Sequence, residues 1–513
     1  MTKPIQEPID DKRQQEYDGV PLAADIHENI EMILRDLGGS DDVVIREITS
    51  DRYTEPAAAI AYIDGMSDAA IINTYIFDVL NRSLPHIEAD RDKHEAERRT
   101  LAENLLSGIG SIHVVSDTGE LYQFMLSGEA IIFLAGSDHA YRADIRQWKG
   151  REVTESTNQT SIRGPRESFT ETLRINTSLV RRKIKDPRLW LETITIGSIT
   201  KTNVTMMYLN GIAKPSVIDE ARSRLKAIDI DGVLEGGYIE EQIEDSKYSI
   251  FPTVFNTELP DSVAAQLLEG KVAILVDGTP NVLLVPTQFV SFVQSSEDYY
   301  QRALYSSLLR LLRFVSGFIS LLLPSLYIAI TTFHRDMLPT SLLISLAAQR
   351  EGVPFPAFIE AVAMEITFEI LREAGLRMPR AIGQAVSVVG TLVIGQAAVE
   401  AGIVSAAMVI VVSVTAISTF TVPAYSMSIP VRMLRFAFMG LAASFGLFGI
   451  IMGFFTLLLH LCSLRSFGEP YMAPLSPFIA AEQQDALIRL PRWLSFKRPS
   501  STQKGNRNRQ RKR

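Results

Sequence analysis

Apolar positions divide the chain near Tyr300. Before it they recur at helix-face spacing or in strand-length runs between polar turns, the pattern of mixed α/β structure. Beyond it, long stretches carry no charge. Twenty uncharged residues separate Arg313 from His334, and nineteen separate Arg380 from Glu400. Ala401 to Val431 is charge-free, with Pro423 and Pro430 limiting its helix, and from Phe436 to Leu464 only His460 and Cys462 titrate. Crossing about 30 Å of hydrocarbon takes about 20 apolar residues. The pattern therefore predicts spans at about 314–333, 381–400, 403–422 and 436–461. Residues 337–350 are too short to span, and 355–371 are interrupted by Glu360, Glu365 and Glu369, so 337–371 reads as a re-entrant or interfacial hairpin.

In the polar half the predicted elements form two α/β subdomains. The first covers 25–150, with an amphipathic helix from Asp25 to Leu37, strands near 43–48, 57–63 and 130–134, and a helix near 69–80. A polar linker with Gly164 and Pro165 occupies 151–168. The second subdomain, 169–295, offers a helix at 169–185, strands near 190–196 and 204–209, a helix at 217–227, and a closing hairpin in which KVAILV and VLLVP flank Asp277-Gly278-Thr279-Pro280-Asn281. A helical stretch from Gln288 to Arg313 is expected to couple it to the first span. The predicted fold class is thus a cytoplasmic α/β region of two subdomains, then a polytopic α-helical membrane domain over 296–480 with about four spans plus the hairpin.

Charge refines this picture. The net charge is −8, yet the last twenty-five residues carry ten Lys and Arg and no acid, which leaves −18 on residues 1–488. An acidic N-terminus over 1–24 and a basic tail over 481–513 both read as disordered. Without an apolar leader, and with a tail suited to anionic lipid headgroups, both ends are expected in the cytoplasm. The single Cys462 excludes an internal disulfide and an all-cysteine zinc site.

No catalytic constellation stands out. His86, His94, His113 and His139 lack metal-ligand spacing, Gly108-Ile109-Gly110 is an incomplete dinucleotide motif, no P-loop occurs, and Asp229-Ile230-Asp231-Gly232 lacks the rest of a calcium loop. The chain reads as a non-enzyme with no cofactor or metal. In the second predicted span Gln384, Ser387, Thr391 and Ala398 form a small, mildly polar stripe. Such a stripe serves either helix packing or, with Val388 narrowing the lumen, a pore lining. Glu365, Glu369 and Glu373 recur at i, i+4 with Arg372 and Arg377 nearby, which gives either ion pairs along a helix or, together with Glu400, a charged vestibule or gating element.

Several segments carry a specific resemblance: GPRESFTETLRINTSLVRRKI, DGTPNVLLVPTQF, EDYYQRA, REGVPFPAFIEAV, EILREAGLRMPRAIGQAVSVVGTLVIGQAAVEAGIVS and HLCSLRSFGEPYMAPLSP. From about Gly164 to Pro477 the chain resembles the A subunit of the GerA-type spore germinant receptors. Leu259 and Glu469 depart from the family pattern, which usually has arginine and valine there. The resemblance implies a subunit of a nutrient-sensing complex in the spore inner membrane that oligomerises into a ligand-gated channel for monovalent cations. Its implied partners are a transporter-like B subunit, a lipoprotein C subunit and membrane lipid, with no nucleic acid. A solute or ion transporter subunit is the alternative, weakened by the lack of a second copy of the EGVPFP or GLRMPR region.

Overall fold

A computed structural model describes residues 17–49, 56–80, 112–146, 163–379, 393, 395–480, 482–494 and 498. The polar half contains two five-stranded sheets. Helix α1 (Ile26–Asp36) starts on Asp25, whose carboxylate accepts from the His27 amide, and leads to β1 (Val43–Thr49) and β2 (Pro56–Ile63). A helical turn at Ala69–Ile71 runs into a π-turn at Ile72–Ile76. Then come β3 (Ile112–Val115), α2 (Thr118–Met125), β4 (Ala130–Leu134) and β5 (Ala140–Ala143). All pairings are antiparallel, in the order β1-β2-β4-β5-β3. Ile30, Ile33, Leu121 and Met125 cover one face, and Ile72, Ile76 and Leu80 the other. Coverage on both faces explains why β2 and β4 read as unbroken apolar runs rather than alternating ones.

The second unit repeats the plan. Helix α3 (Leu173–Lys183) precedes the long hairpin β6 (Leu189–Ile196) and β7 (Thr202–Leu209), followed by α4 (Pro215–Lys226), α5 (Gly236–Ile243), β8 (Phe255–Thr257), α6 (Pro260–Leu267), β9 (Val272–Val276) and β10 (Val282–Val285). The order β6-β7-β9-β10-β8 is that of the first sheet with each strand advanced by one unit. The predicted KVAILV hairpin is the antiparallel β9–β10 pair. A sequence echo marks the repeat: LSGEAIIFLAG over 126–136 corresponds to LEGKVAILVDG over 268–278, with Gly128 and Gly270 both at positive φ. The units meet through a buried bidentate pair, Arg181 Nε and Nη2 to Asp42 at 2.7 and 2.8 Å, and through Trp190, whose ring lies so close over Gly38 that a Cβ there would sit 2.1 Å from it.

Two 3-10 turns, Phe289–Phe292 and Ser296–Tyr299, stand where a coupling helix was expected. The helical half then begins with α7 (Ala303–Thr332), 30 residues and so about 45 Å long. It continues with α8 (Thr340–Arg350), α9 (Ala357–Arg377), helical residues 395–400, α10 (Ala406–Thr419) and α11 (Tyr425–Ser463). Among the described residues two helices, α7 and α11, are long and apolar enough to cross a membrane. α11 is not one rod, however. Gly446 is non-helical at φ 62° and ψ −141°, and the two arms fold back on each other: Gly453 approaches Phe438 and Leu441, while Ala424, Met427, Leu461 and Leu464 all enter the core of the second α/β unit. The tip at Gly446 lies against Phe333 and His334, at the far end of α7. The single span expected at 436–461 is therefore the outer part of a helical hairpin, because glycine alone readily takes that backbone conformation.

Contacts also orient the region 337–371. The expected hairpin region contains two helices, of which α9 runs from the distal end, where Glu360 meets Ser405, towards the α/β side, where Glu369 meets Arg432. Its carboxylates do not bar it from the layer because each meets a partner there. α10 runs the same way, from Ser405, whose hydroxyl caps it, to Thr419. At 14 residues, about 21 Å, it is shorter than the span expected over 403–422. Finally, residues 482–494, expected to belong to the disordered tail, lie against the start of α7: Tyr299 and Arg310 bind Asp485, and Arg489 donates to the carbonyls of Tyr299 and Gln301.

Candidate functional site

Helix α9 presents three carboxylates to the interior of the helical layer, spaced five and four residues apart. Glu360 is 1% exposed and Glu365 is 0% exposed. Charges cannot remain in such a place without compensation. Glu365 accepts from Arg435 Nη1 at 2.5 Å, and the same guanidinium donates through Nε to the Ser320 carbonyl at 2.7 Å and through Nη2 to Thr419 Oγ1 at 3.0 Å. One arginine of α11 thus joins α7, α9 and α10. One turn towards the α/β side, Arg432 grips Glu369, its Nε at 3.0 Å, while Arg372 lies 3.6 Å from the same carboxylate. At the distal end Glu360 accepts from the backbone and hydroxyl of Ser405 at 3.1 and 3.0 Å, with Arg350 at 3.4 Å. Even so, Oε1 of both Glu360 and Glu365, Nε of Arg372 and the Ser325 hydroxyl are buried without a hydrogen-bond partner among the described residues. The cluster therefore holds four helices in register while retaining unused polar capacity.

Of the residues singled out in the sequence, Glu365 and Glu369 belong to this cluster. Glu373 and Arg377 form an exposed i, i+4 pair at 2.6 Å, and Glu400 is exposed and accepts from Gln396 at 2.8 Å. Ala398 is half-buried. Gln384, Ser387, Val388 and Thr391 lie outside the described residues. What the sequence reading missed is the partners, Arg432 and Arg435, which served only as boundaries of an apolar run. Their i, i+3 spacing matches the i, i+4 spacing of Glu365 and Glu369 on an antiparallel helix, a signal that was present.

A second polar cluster ties the α/β half to α7. Asp298, 2% exposed, accepts from Arg310 Nε at 3.0 Å and Arg313 Nη1 at 2.8 Å. The Tyr299 ring is approached by the guanidiniums of Arg310, Arg489 and Arg492 at 5.3, 5.6 and 5.2 Å. Burial, together with the Asp485 charge, pushes the Tyr299 hydroxyl well above its ordinary range, so it stays a neutral donor to Asp485.

Comparison with known proteins places these features in a family. The description "Bacillus/Clostridium GerA spore germination protein" fits residues 31–501. Spore germination protein KA of Bacillus subtilis is 46% identical over 97% of this chain and 90% of its own length. This chain belongs to the GerA family. Spore germination protein B1 of the same organism is 39% identical over 93% of the chain and 97% of its own length. A solved structure, the N-terminal domain of the A subunit of the Bacillus megaterium spore germinant receptor GerK3, is 35% identical, covering 52% of this chain and 97% of that one, with a TM-score of 0.40. Within this GerA-family chain Glu469 has a partner: Lys214 Nζ lies 2.6 Å from its carboxylate, bridging the entry of α4 to the strand pair β11 (Arg465–Ser466) and β12 (Glu469–Pro470) that follows α11. Leu259 stands directly before α6.

Proposed function

We propose that this chain is the A subunit of a nutrient germinant receptor of the spore inner membrane, that it oligomerises into a ligand-gated channel for monovalent cations, and that it works with a transporter-like B subunit and a lipoprotein C subunit. The observation that carries the receptor role is near full-length identity of 46% with a spore germination protein. For the membrane part, the proposal is six crossings rather than four. α7, α9, α10 and the two arms of α11 supply five passes among the described residues, and the predicted span 381–400 supplies the remaining one between the α/β-side end of α9 and Gly402, which meets Gly352 at the distal end. An even count keeps the α/β half and the tail on one side, the cytoplasmic one.

The stripe Gln384, Ser387, Val388, Thr391 and Ala398 is assigned to the pore, with Glu373 and Arg377 at its α/β-side mouth, Glu400 at its distal mouth, and the Glu365–Arg435 pair as the link through which neighbouring helices follow its movement. The exposed apolar residues Ile366, Ile370, Ile410, Val414 and Ile417 of α9 and α10 support packing against lipid or a second copy. The test is conductance of the receptor complex in a planar bilayer with nutrient added. Val388→Ala and Thr391→Ser are expected to leak ions and make germination partly nutrient-independent, while Ser387→Phe blocks current with the complex still inserted. Unaltered gating in all three, at equal abundance, rules out this helix as the pore.

A further inference from the structure

The internal repeat exposes an asymmetry. Just before the fourth strand of each unit stands a buried charged residue: Glu129 before β4 and Lys271 before β9, each 2% exposed. Glu129 is compensated by Arg142 at 3.1 Å and Arg146 at 3.9 Å. Lys271 has no such counter-ion among the described residues. Its ammonium donates only to neutral atoms, Gln266 Oε1 at 2.8 Å and Ser291 Oγ at 3.0 Å. A buried ammonium served by neutral groups alone is costly, and burial accordingly lowers the Lys271 ammonium to about 8, against the opposing pull of Glu269. Beside it lies a cavity of about 90 Å3, whose lining includes Ser295, Ser296, Tyr300 and Arg492 as well as Lys271 and Ser291. This is room for several waters, and so for one small oxyanion. Glu269 also lines it and offsets part of the positive charge. The cavity walls come from the second α/β unit, the turn leading into α7, and the C-terminal segment, so an occupant would touch all three.

We infer that the Lys271 cavity is a binding site for a phosphate-type oxyanion, either free phosphate or the headgroup of an anionic lipid, held by the ammonium, the Arg492 guanidinium and the serine hydroxyls. The site stands independently of the pore assignment. It is tested with the full chain in phosphatidylcholine nanodiscs, following Tm against added inorganic phosphate with chloride of equal ionic strength as control, and separately in nanodiscs containing phosphatidylglycerol without phosphate. A rise of several degrees in the first arm identifies a free anion, and in the second a headgroup. Lys271→Met is expected to raise Tm in the absence of either, because it removes a buried charge that is only partly offset, and to abolish the response; Arg492→Gln weakens apparent affinity about tenfold. No rise in either arm overturns the site, as does an undiminished response in Lys271→Met. Should that variant not fold, an undiminished response in Arg492→Gln overturns it equally.

Discussion

At the scale of single residues, two positions decide the architecture of the helical half. Gly446 holds a backbone conformation that other residues reach only at about 1–3 kcal/mol, and a Cβ there would also lie 2.7 Å from the His334 ring. Gly446→Ala is therefore expected to lower Tm and the abundance of membrane-inserted protein, whereas Gly440→Ala, with open space around it, leaves both unchanged. Equal behaviour of the two variants would contradict a tight turn at 446. Arg435 is the other. Breaking a buried pair by removing one partner costs about 3–5 kcal/mol, while replacing both with apolar residues is often neutral. Arg435→Met should thus deplete the folded protein and Glu365→Leu combined with Arg435→Met should restore it. If the restored protein also gates normally, the pair is a packing device alone; if it folds but no longer responds to nutrient, the pair transmits movement. Reading the sequence found Glu365 and Glu369 because carboxylates stand out in an apolar region. It missed their partners because an arginine at the end of an uncharged run looks like a boundary.

Elements whose apolar pattern was regular were legible: α1, β1, β2, β4, β6, β7, α4 and the β9–β10 hairpin all fall within a few residues of their expected positions. Those missed were short or weakly patterned, such as β3, α2, β5, α5 and α6, and the repeat relating the two units was visible only once their strand orders matched. α5 also carries a titration that no sequence pattern suggests. Burial first, then the charges of Glu244 and Glu235, pushes the Glu240 carboxyl up to about 7. Between the usual carboxylate range and pH 7 the folded chain keeps this proton and the unfolded chain loses it. Its stabilising contribution is therefore full at the acid end and is lost as pH rises through 7. Glu240→Gln should raise Tm at pH 8, by an amount on the order of 2 kcal/mol of stability, and change it little at pH 5. A Tm gain of equal size at both pH values would mean that the carboxyl titrates normally.

For the whole molecule, the proposed six crossings set the sidedness of the layer by parity, and parity depends on segments whose charge pattern is ambiguous in the sequence. Charge-free length marks α7 but cannot see that α9 sits among the other helices with its carboxylates paired, or that one long apolar run contains two helices. In the proposed six-crossing arrangement, counting α9 alone would put the tail outside, and splitting α11 at Gly446 returns it to the side of the α/β half. The chain provides its own probe of this arrangement. Cys462, the single cysteine, is exposed near the end of the second arm of α11, beside the α/β core that Leu461 and Leu464 enter. A membrane-impermeant maleimide applied to intact cells expressing the protein is expected to leave Cys462 unlabelled until the membrane is permeabilised. In a Cys462→Ser background, Asp336→Cys, in the exposed distal turn after α7, should label without permeabilisation. Labelling of both sites from outside would restore an odd number of crossings, in which case either α9 or one arm of α11 lies along the membrane rather than through it. Protection of both would mean that the distal turn is covered by another subunit or does not reach the surface, and labelling after removal of the partner subunits separates these two.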